Sequence, residues 1–347
     1  MTLRRNSKLL RIGGLTIGGS SPIRIQSMTK TDTRDVAATI NQIRRLEEYG
    51  CEIIRCAVPD MEAAEALGVI KRSIHIPLIA DIHFDYRLAL ASLKAGVDGL
   101  RLNPGNLRNL EQIAAVVQAA KERETPIRIG VNAGSLPPSF EGDSGPQRMV
   151  AAAKEQINFL EALDFDLIKV SLKAFDIPQT IAAYRAIAQD TPYPLHLGIT
   201  EAGLPFEGSI RSALGIGILL WEGIGDTIRV SLTADPVLEV QAGYEILKCL
   251  NLREYGPTLV SCPTCGRAEI DLLPIADEVR GHLKGIRKPL KVALCACVVN
   301  GPGEARCADV GLAGGKRKGA IFRKGKVVKV TDEDKLAEAL REEIDQI

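Results

Sequence analysis

The sequence predicts an α/β protein whose larger part is a (β/α)₈ TIM barrel and whose smaller part is a second α/β domain. From residue 23 to about residue 252, short β-rich runs alternate with amphipathic helical runs, which indicates parallel strands joined by crossover helices. The alternation contains eight βα units in about 230 residues, close to the roughly 250 residues of such a barrel. From residue 259 onward, a segment of about 90 residues shows an alternation of its own.

Each of the eight units begins with a predicted strand, and the strands are residues 23–28, 52–58, 78–82, 99–102, 127–131, 167–171, 195–199 and 227–232. Between them, apolar residues recur at helical spacing, for example in residues 36–49, 107–122, 180–189 and 237–250. A doubly wound open sheet is the alternative, but it requires a glycine-rich turn after the first strand. Thr29, Lys30, Thr31 and Asp32 follow Met28 here, so the barrel is favoured.

The chain is therefore predicted to form two domains, residues 1–252 and residues 259–347. In the second domain, strand-like runs at 290–297 and 319–330 accompany helical patterns at 270–283 and 332–344. With 347 residues, of which 46% are apolar and 25% are charged, the chain is long enough for one large core and one smaller core.

Composition argues against several classes of partner. The net charge of +1 and the isoelectric point near 7.5 argue against nucleic acid as the principal partner. No apolar run reaches the roughly 18 to 20 residues of a membrane span, and residues 1–8 are not followed by the apolar core of a signal peptide. The eight cysteines are clustered, which fits metal binding in a reducing compartment. We expect a cytoplasmic protein without a membrane partner.

Polar side chains lie at or near the carboxyl ends of the predicted strands, where enzymes of this fold place their active sites. They are Arg55, Asp81, His83, Arg101, Asn103, Arg128, Asn132, Lys169, Ser171, His196, Glu201, Arg229 and Ser231. Several of them are two residues apart, so their side chains share one face of a strand. A single arginine at such a position is usually solvated or paired with a nearby acid. Five cations from five strands outnumber Asp81 and Glu201, and this surplus suits a multiply charged anion such as a diphosphate.

A second group of candidate residues lies in the smaller domain. Cys262 and Cys265 form a Cys-x-x-Cys turn, and Cys297 begins a glycine- and proline-rich segment that leads to Glu304. This spacing favours three thiolates and one carboxylate around a metal centre. Spacing alone leaves an iron–sulfur cluster, a zinc site and a thiol redox pair open. No histidine lies near Cys297, and the next thiol downstream is Cys307.

Nearly the whole chain resembles the bacterial 4-hydroxy-3-methylbut-2-enyl diphosphate synthases of the non-mevalonate isoprenoid pathway. In the smaller domain the resemblance is carried by CPTCGR at 262–267 and CVVNGPGEA at 297–305. In the barrel it is carried by QSMT at 26–29, ADIHFDY at 80–86, NPGN at 103–106, GVNAGS at 130–135 and HLGITEAG at 196–203. No insertion separates the barrel from Cys262, so the chain resembles the two-domain form of the family.

The resemblance implies an iron–sulfur reductase that converts 2-C-methyl-D-erythritol 2,4-cyclodiphosphate to 4-hydroxy-3-methylbut-2-enyl diphosphate, with two electrons and loss of water. It implies that Cys262, Cys265, Cys297 and Glu304 hold a [4Fe-4S] cluster, with Glu304 as the exchangeable ligand. From the ligand spacing we expect the neighbouring Cys295 not to be a ligand. It also implies that the phosphates are held by Arg55, Arg101, Arg128, Lys169, Arg229 and Ser231, with Asn103 and Asn132 nearby. Asp81, His83, Ser171 and His196 are further candidate substrate-binding residues, and Glu201 is the candidate proton donor.

Two alternatives belong to other functional classes. The first is a barrel enzyme that acts on a phosphorylated substrate and carries a structural zinc domain, and it predicts a colourless protein with one zinc ion. The second is a non-enzymatic iron–sulfur carrier, and it predicts a barrel mouth that binds no anion.

The basic residues between 316 and 329 form the main positive concentration of the chain: Lys316, Arg317, Lys318, Arg323, Lys324, Lys326 and Lys329. A solvated hairpin is one interpretation of this run. The other is a docking surface for an acidic electron donor, ferredoxin or flavodoxin.

Chain geometry predicts a homodimer with the active site between subunits. The last barrel helix, about 20 Å long at 1.5 Å per residue, returns the chain to the face opposite the mouth. The link at 251–257 spans at most about 25 Å when fully extended, and it has to pass the outer ring of helices. We therefore expect each cluster domain to cap the barrel of its partner, and members of the resembled family are similarly arranged as dimers.

Overall fold

The computed structural model describes residues 3–103, 109–136, 145–299, 303 and 306–347. The chain divides into two units, Met1–Arg253 and Glu254–Ile347. No helix within these described ranges has the length and apolar character needed to cross a membrane.

A short antiparallel hairpin that the sequence did not predict precedes the barrel. It consists of β1 (Leu10–Ile12) and β2 (Leu15–Ile17). Its apolar side chains pack against residues near the amino ends of two barrel strands, in a cluster formed by Leu10, Ile12, Ile17, Ile53 and Ile79. Burial of these aliphatic side chains therefore closes the bottom of the barrel.

Eight parallel strands form the barrel. They are β3 (Arg24–Met28), β4 (Ile53–Ala57), β5 (Leu78–Ile82), β6 (Gly99–Leu102), β7 (Ile127–Asn132), β8 (Ile168–Lys173), β9 (His196–Leu197) and β10 (Thr227–Ile228). Their hydrogen-bonded order is β8-β7-β6-β5-β4-β3-β10-β9, and a parallel bridge between Val170 and Leu195 joins the two ends. The predicted (β/α)₈ barrel is confirmed.

The last two strands are shorter than the predicted runs 195–199 and 227–232. The Arg229 amide still donates to the Leu197 carbonyl of β9 at 3.0 Å, but further along the Leu232 amide donates to the carboxylate of Glu239 at 3.0 Å. The Thr200 amide donates to the Ala174 carbonyl, which lies outside any strand, at 3.3 Å. The ladder ends because loop and side-chain acceptors replace those of a neighbouring strand.

A helix follows each barrel strand. The helices are α1 (Val36–Glu48), α2 (Met61–Ser73), α3 (Tyr86–Lys94), α4 (Leu110–Glu122), α5 (Gly145–Ala162), α6 (Ile177–Asp190), α7 (Pro205–Trp221) and α8 (Pro236–Cys249). Six of them begin after an aspartate or asparagine whose side chain accepts a hydrogen bond from the first turn, namely Asp35, Asp60, Asp85, Asn109, Asp176 and Asp235. Such caps satisfy amides that have no partner inside the helix. The first residues of the predicted helix 107–122 lie outside the described residues.

The second unit is a five-stranded sheet with two helices. Its elements are β11 (Pro257–Ser261), α9 (Leu272–Leu283), β12 (Leu290–Cys295), β13 (Val310–Gly315), β14 (Lys318–Arg323), β15 (Lys326–Asp332) and α10 (Leu336–Asp345). The strands lie in sequence order, with β11, β12 and β13 parallel and the last two pairs antiparallel. One core joins both helices to the sheet through residues such as Val279, Val292, Leu312, Ile321 and Leu340. The predicted small α/β domain is confirmed.

The strand-like run 319–330 is a hairpin of β14 and β15. Lys324 and Gly325 connect the strands with φ of 47° and 77°, as a two-residue hairpin turn requires. The predicted run 290–297 ends as a strand at Cys295, so Cys297 lies just beyond the sheet.

Candidate active site

The carboxyl ends of the barrel strands surround a cavity of about 140 Å³. Basic side chains dominate its lining: Arg55, His83, Arg101, Arg128, Lys173 and Arg229. Asp81 is the one carboxylate among the described residues of this lining, and the uncharged lining residues are Asn132, Ser171, Thr200 and Ser231. A surplus of positive charge in one cavity, together with hydroxyl and amide donors, is suited to a phosphorylated anion.

Asp81 organises one side of this cavity. Its Oδ1 accepts a hydrogen bond from Arg101 Nη1 at 3.2 Å, and its Oδ2 lies 3.4 Å from Arg55 Nε and 3.5 Å from His83 Nε2. Burial alone would raise the pKa of Asp81, but Arg55, His83 and Arg101 outweigh burial and hold its pKa well below the usual range. The carboxylate is therefore ionised, and it fixes the two guanidinium groups.

Arg229 is held at the opposite side by an acid that comes from a helix. Its Nη2 lies 3.7 Å from the buried carboxylate of Glu239 on α8, which also pairs with Lys30 at 3.0 Å. Burial lowers the pKa of Arg229 to about 10, with a further decrease from Arg55 and a partial offset from Glu239. Glu239 was not predicted as a site residue.

Two glycines make room for the basic side chains. A Cβ at Gly130 would lie 2.4 Å from Nε of Arg101, and a Cβ at Gly198 would lie 2.4 Å from Nζ of Lys173. Contacts that short do not occur, so any larger residue at either position has to displace the cation.

Glu201 lies outside the basic cavity. It lines a neighbouring cavity of about 570 Å³, together with Asn103, Ser135, Phe175 and Asp176. The two cavities share His83, Asn132 and Thr200 as lining residues, so they adjoin. The side chain of Glu201 is exposed, and its backbone has φ of 55°, a conformation that costs free energy for a residue with a Cβ.

The structure brings most of the predicted barrel residues together. The basic cavity is lined by Arg55, Asp81, His83, Arg101, Arg128, Asn132, Ser171, Arg229 and Ser231, and the neighbouring cavity adds Asn103 and Glu201. Two predicted residues line neither cavity. Lys169 and His196 are 3% and 0% exposed and lie inside the barrel wall.

Two residues that line the basic cavity, Lys173 and Thr200, were not predicted from the sequence, and Lys173 is the charged one. The predicted strand stopped at Ser171, whereas β8 continues to Lys173. The available signal was the alternation of Lys169, Ser171 and Lys173, because residues two apart share one face of a strand. Lys173 pairs in register with Asn132, which lines the same cavity.

The three candidate cysteines follow the carboxyl ends of two neighbouring strands of the second sheet, β11 and β12. Cys262 directly follows β11, and its amide donates to the Leu294 carbonyl at 2.8 Å. Cys297 follows the end of β12, the parallel neighbour of β11. The chain just after the Cys-x-x-Cys segment is hydrogen-bonded next to Cys297, because the Glu269 amide donates to the Ala296 carbonyl at 2.9 Å.

No cluster of three or more metal-binding side chains is present within the described ranges. Glu304, the predicted fourth ligand, lies outside the described residues. Cys295 is buried in a small cluster with Ala313 and Phe322, separate from the core that includes Leu294. Cys307 is exposed.

Comparison with known proteins decides the family. The profile of the GcpE TIM-barrel domain matches residues 7–244, and that of the GcpE protein C-terminal domain matches residues 258–346. The chain belongs to the GcpE family. The family predicted from the sequence is confirmed.

Curated GcpE relatives are similar to this chain over its full length. Proteins from Dehalococcoides mccartyi, Geobacter sulfurreducens and Thermodesulfovibrio yellowstonii are 63%, 56% and 54% identical, each alignment covering 99% of both chains. All three are named 4-hydroxy-3-methylbut-2-en-1-yl diphosphate synthase (flavodoxin). The predicted enzymatic function in isoprenoid precursor biosynthesis is confirmed.

Solved structures of similar fold support the barrel of this GcpE chain. Dihydropteroate synthases from Yersinia pestis and Stenotrophomonas maltophilia align with TM-scores of 0.53 and 0.55 at 12% and 14% identity. They cover 70% and 71% of this chain and 97% and 98% of their own chains. At this identity the likeness concerns the fold alone.

Proposed function

We propose that the basic cavity of the barrel binds 2-C-methyl-D-erythritol 2,4-cyclodiphosphate and that this chain opens the ring reductively to 4-hydroxy-3-methylbut-2-enyl diphosphate. One observation carries the proposal: among the described residues, four arginines and Lys173 share one cavity with a single carboxylate, that of Asp81. Guanidinium groups bind phosphate oxygens through charge-assisted hydrogen bonds. Arg55, Arg101, Arg128, Arg229 and Ser231 are the proposed phosphate ligands, and Lys173 joins them in place of the predicted Lys169.

The same cations serve the reaction as well as binding. Breaking the carbon–oxygen bond of the ring leaves an additional negative charge on the released phosphate oxygen. Cations held in advance around that oxygen stabilise the charge without reorganisation. Asp81 contributes indirectly, because its ion pairs hold Arg55 and Arg101 in place.

Glu201 is the proposed proton donor for the hydroxyl that departs as water. Its position in the adjoining cavity, which shares Thr200 and His83 with the basic cavity, allows it to reach a substrate whose phosphates occupy the basic cavity. A carboxylic acid in this position can act as a general acid.

We also propose a [4Fe-4S] cluster bound by Cys262, Cys265 and Cys297, with Glu304 as fourth ligand. The position of the cysteines after the carboxyl ends of β11 and β12 supports this proposal. Three thiol donors at the ends of adjacent parallel strands are a donor set of the right chemistry. Such a cluster, when bound, supplies single electrons and a Lewis-acidic iron. The proposed electron donor is a reduced ferredoxin or flavodoxin, and the names of the relatives support flavodoxin.

The test is the iron, sulfide and zinc content of anaerobically purified protein, together with its visible spectrum. Serine variants of Cys262, Cys265 and Cys297 should each lose the cluster, because a thiolate ligand is removed. Matched serine variants of Cys51, Cys249 and Cys295 should keep it. A colourless wild type with one zinc ion would contradict the cluster, and loss of iron in Cys295→Ser but not in Cys297→Ser would show that the ligands are misassigned.

A further inference from the structure

Strand β8 carries two buried lysines on the face that lines the barrel interior. Lys169 and Lys173 are 3% and 7% exposed, and Ser171 lies between them on the same face. Within the described residues, Nζ of Lys169 has no hydrogen-bond partner, and neither amine takes part in an ion pair. Buried ammonium groups are usually paired, because an unpaired buried charge is costly.

Positive charges predominate around Lys173. Cations from four other strand ends face it, and these are Arg55, Arg101, Arg128 and Arg229. The buried imidazole of His196 is close enough to interact with Lys173, and Lys169 lies on the same strand. Asp81 lines the same cavity, but two arginines already engage its carboxylate. Burial and then these arginines hold the pKa of Lys173 well below its usual value. Lys169 is in the same situation, with Asp226 as a weak opposing charge.

Arginine stays protonated in proteins, whereas a buried lysine loses its proton readily. Lys173 is therefore the adjustable charge among the cations that line the cavity. Its amine also lies against the backbone of Gly198, so it reaches the cavity directly, unlike Lys169.

We propose that Lys173 is neutral in the free site and takes up a proton when the cyclic diphosphate enters the cavity, so that substrate binding is linked to pH. The inference rests on the proposed binding of the cyclic diphosphate in this cavity. Two negative charges beside the amine favour its ammonium form. In the free site a neutral Lys173 limits the repulsion among the cations. When the substrate is bound, its negative charges balance the additional positive charge of protonated Lys173.

The sign of the pH dependence follows from linkage. In the complex the pKa of Lys173 is higher than in the free site, so binding takes up a proton at any pH between the two values. The association constant should therefore fall as pH rises through this window, by about tenfold per pH unit for one full proton. The ligand itself does not contribute, since each phosphorus of the cyclic diphosphate carries a single, strongly acidic hydroxyl.

The experiment is titration calorimetry of the cluster-loaded, unreduced protein with the cyclic diphosphate, at one alkaline pH, in two buffers of different ionisation enthalpy. The difference in heat gives the number of protons taken up. Wild type should take up a substantial fraction of one proton. Lys173→Met should bind more weakly and take up none, and Lys173→Arg, which is already charged, should also bind without uptake.

Lys169→Met is the matched control, because it removes a buried lysine from the same strand without touching the cavity, and it should keep the uptake. Binding of wild type without uptake overturns the inference, as does uptake that persists in Lys173→Met. If a variant fails to fold, the slope of wild-type affinity against pH still decides, since a flat slope contradicts proton uptake. Absence of binding at every pH would instead overturn the proposed function.

Discussion

At the scale of single residues, the pairing of Asp81 with two arginines is the contact on which the shape of the basic cavity depends. Asp81 was predicted as a substrate-binding residue, and the structure places its carboxylate between Arg55 and Arg101. Because Asp81 is buried, removal of its negative charge leaves the buried guanidinium groups of Arg55 and Arg101 without an opposite charge.

We expect Asp81→Asn to lower the free energy of unfolding by about 3 kcal/mol at neutral pH, the scale for breaking a buried ion pair. Because the pKa of Asp81 is depressed in the folded state, its contribution is present above the unfolded pKa of about 4 and is lost as pH falls below that value. The difference between wild type and variant should therefore shrink in acid. Urea unfolding followed by circular dichroism at several pH values measures this.

Asp164→Asn is the control for that measurement. Asp164 pairs with Lys121 at 2.5 Å, but its side chain is 95% exposed. Exposed pairs of this kind contribute little, so the stability of this variant should match wild type. An Asp81→Asn protein as stable as wild type at neutral pH would show that the carboxylate is not needed to hold the arginines.

Glu201 is the residue whose proposed role is most directly tested by kinetics. Glu201→Gln should keep the cluster and bind substrate nearly as well as wild type, because the side chain is exposed and lines the cavity next to the arginines. Its turnover number should fall about 100-fold or more, the usual scale for loss of a general acid. Glu207→Gln, an exposed change at the start of α7, is the control, and an unchanged turnover in Glu201→Gln would remove Glu201 from the mechanism.

At the scale of elements, the β14–β15 hairpin carries the basic run, and the structure divides its charges into two groups. Arg323 and Lys329 pair with Glu343 and Glu342 of α10 at 2.7 Å and 2.9 Å. Lys316, Arg317 and Lys318 at the start of the hairpin are exposed, and of these Lys318 has only a 3.9 Å contact with Asp332. The positive charge available to a partner is therefore concentrated at 316–318 and in the turn at 324–326.

We predict that this surface docks an acidic donor such as flavodoxin. Reversing the charges of Lys316, Arg317 and Lys318 to glutamate should slow reduction by flavodoxin in a salt-dependent manner, because electrostatic steering sets the association rate. Reduction by dithionite should not change. Stopped-flow absorbance of the cluster measures both rates.

The control reverses three exposed barrel lysines, Lys94, Lys121 and Lys154, which alters the net charge by the same amount. That variant should be reduced by flavodoxin at nearly the wild-type rate. Equal slowing of the hairpin variant with flavodoxin and dithionite would argue against docking at this surface.

At the scale of the whole molecule, the predicted homodimer rests on where the chain leaves the barrel unit. Arg253 donates to the Ile23 carbonyl at 2.8 Å and pairs with Glu52 at 3.2 Å, and both partners precede barrel strands. The chain therefore leaves the barrel at the face opposite the basic cavity.

We predict that each active site combines the barrel of one subunit with the cysteines of its partner. Two inactive variants, Cys297→Ser and Arg229→Ala, should then complement each other after subunit exchange. Random exchange of equal amounts makes half of the dimers mixed, each with one intact site, so activity should recover to about a quarter of the wild-type value. Failure to recover, when exchange is proven by mass spectrometry, would favour a site within a single chain.

The amino-acid sequence by itself determined the architecture and most of the polar residues at the barrel mouth. Both follow from local patterns: a period of two residues in strands and 3.6 in helices predicts the βα alternation, and polar residues at strand ends predict the site. Arg55, Asp81, Arg101, Arg128 and Arg229 could be named in this way without coordinates.

Only the tertiary structure decided which side chain on each strand reaches the cavity. Lys169 lies four residues nearer the amino end of β8 than Lys173, and Lys173 lines the cavity whereas Lys169 does not. The tertiary structure also identified Glu239 as a partner of Arg229, and Glu239 lies on a helix rather than on a strand. Depth in a barrel depends on the register between neighbouring strands and on the closure of the ring, and neither is encoded in the local pattern of one strand.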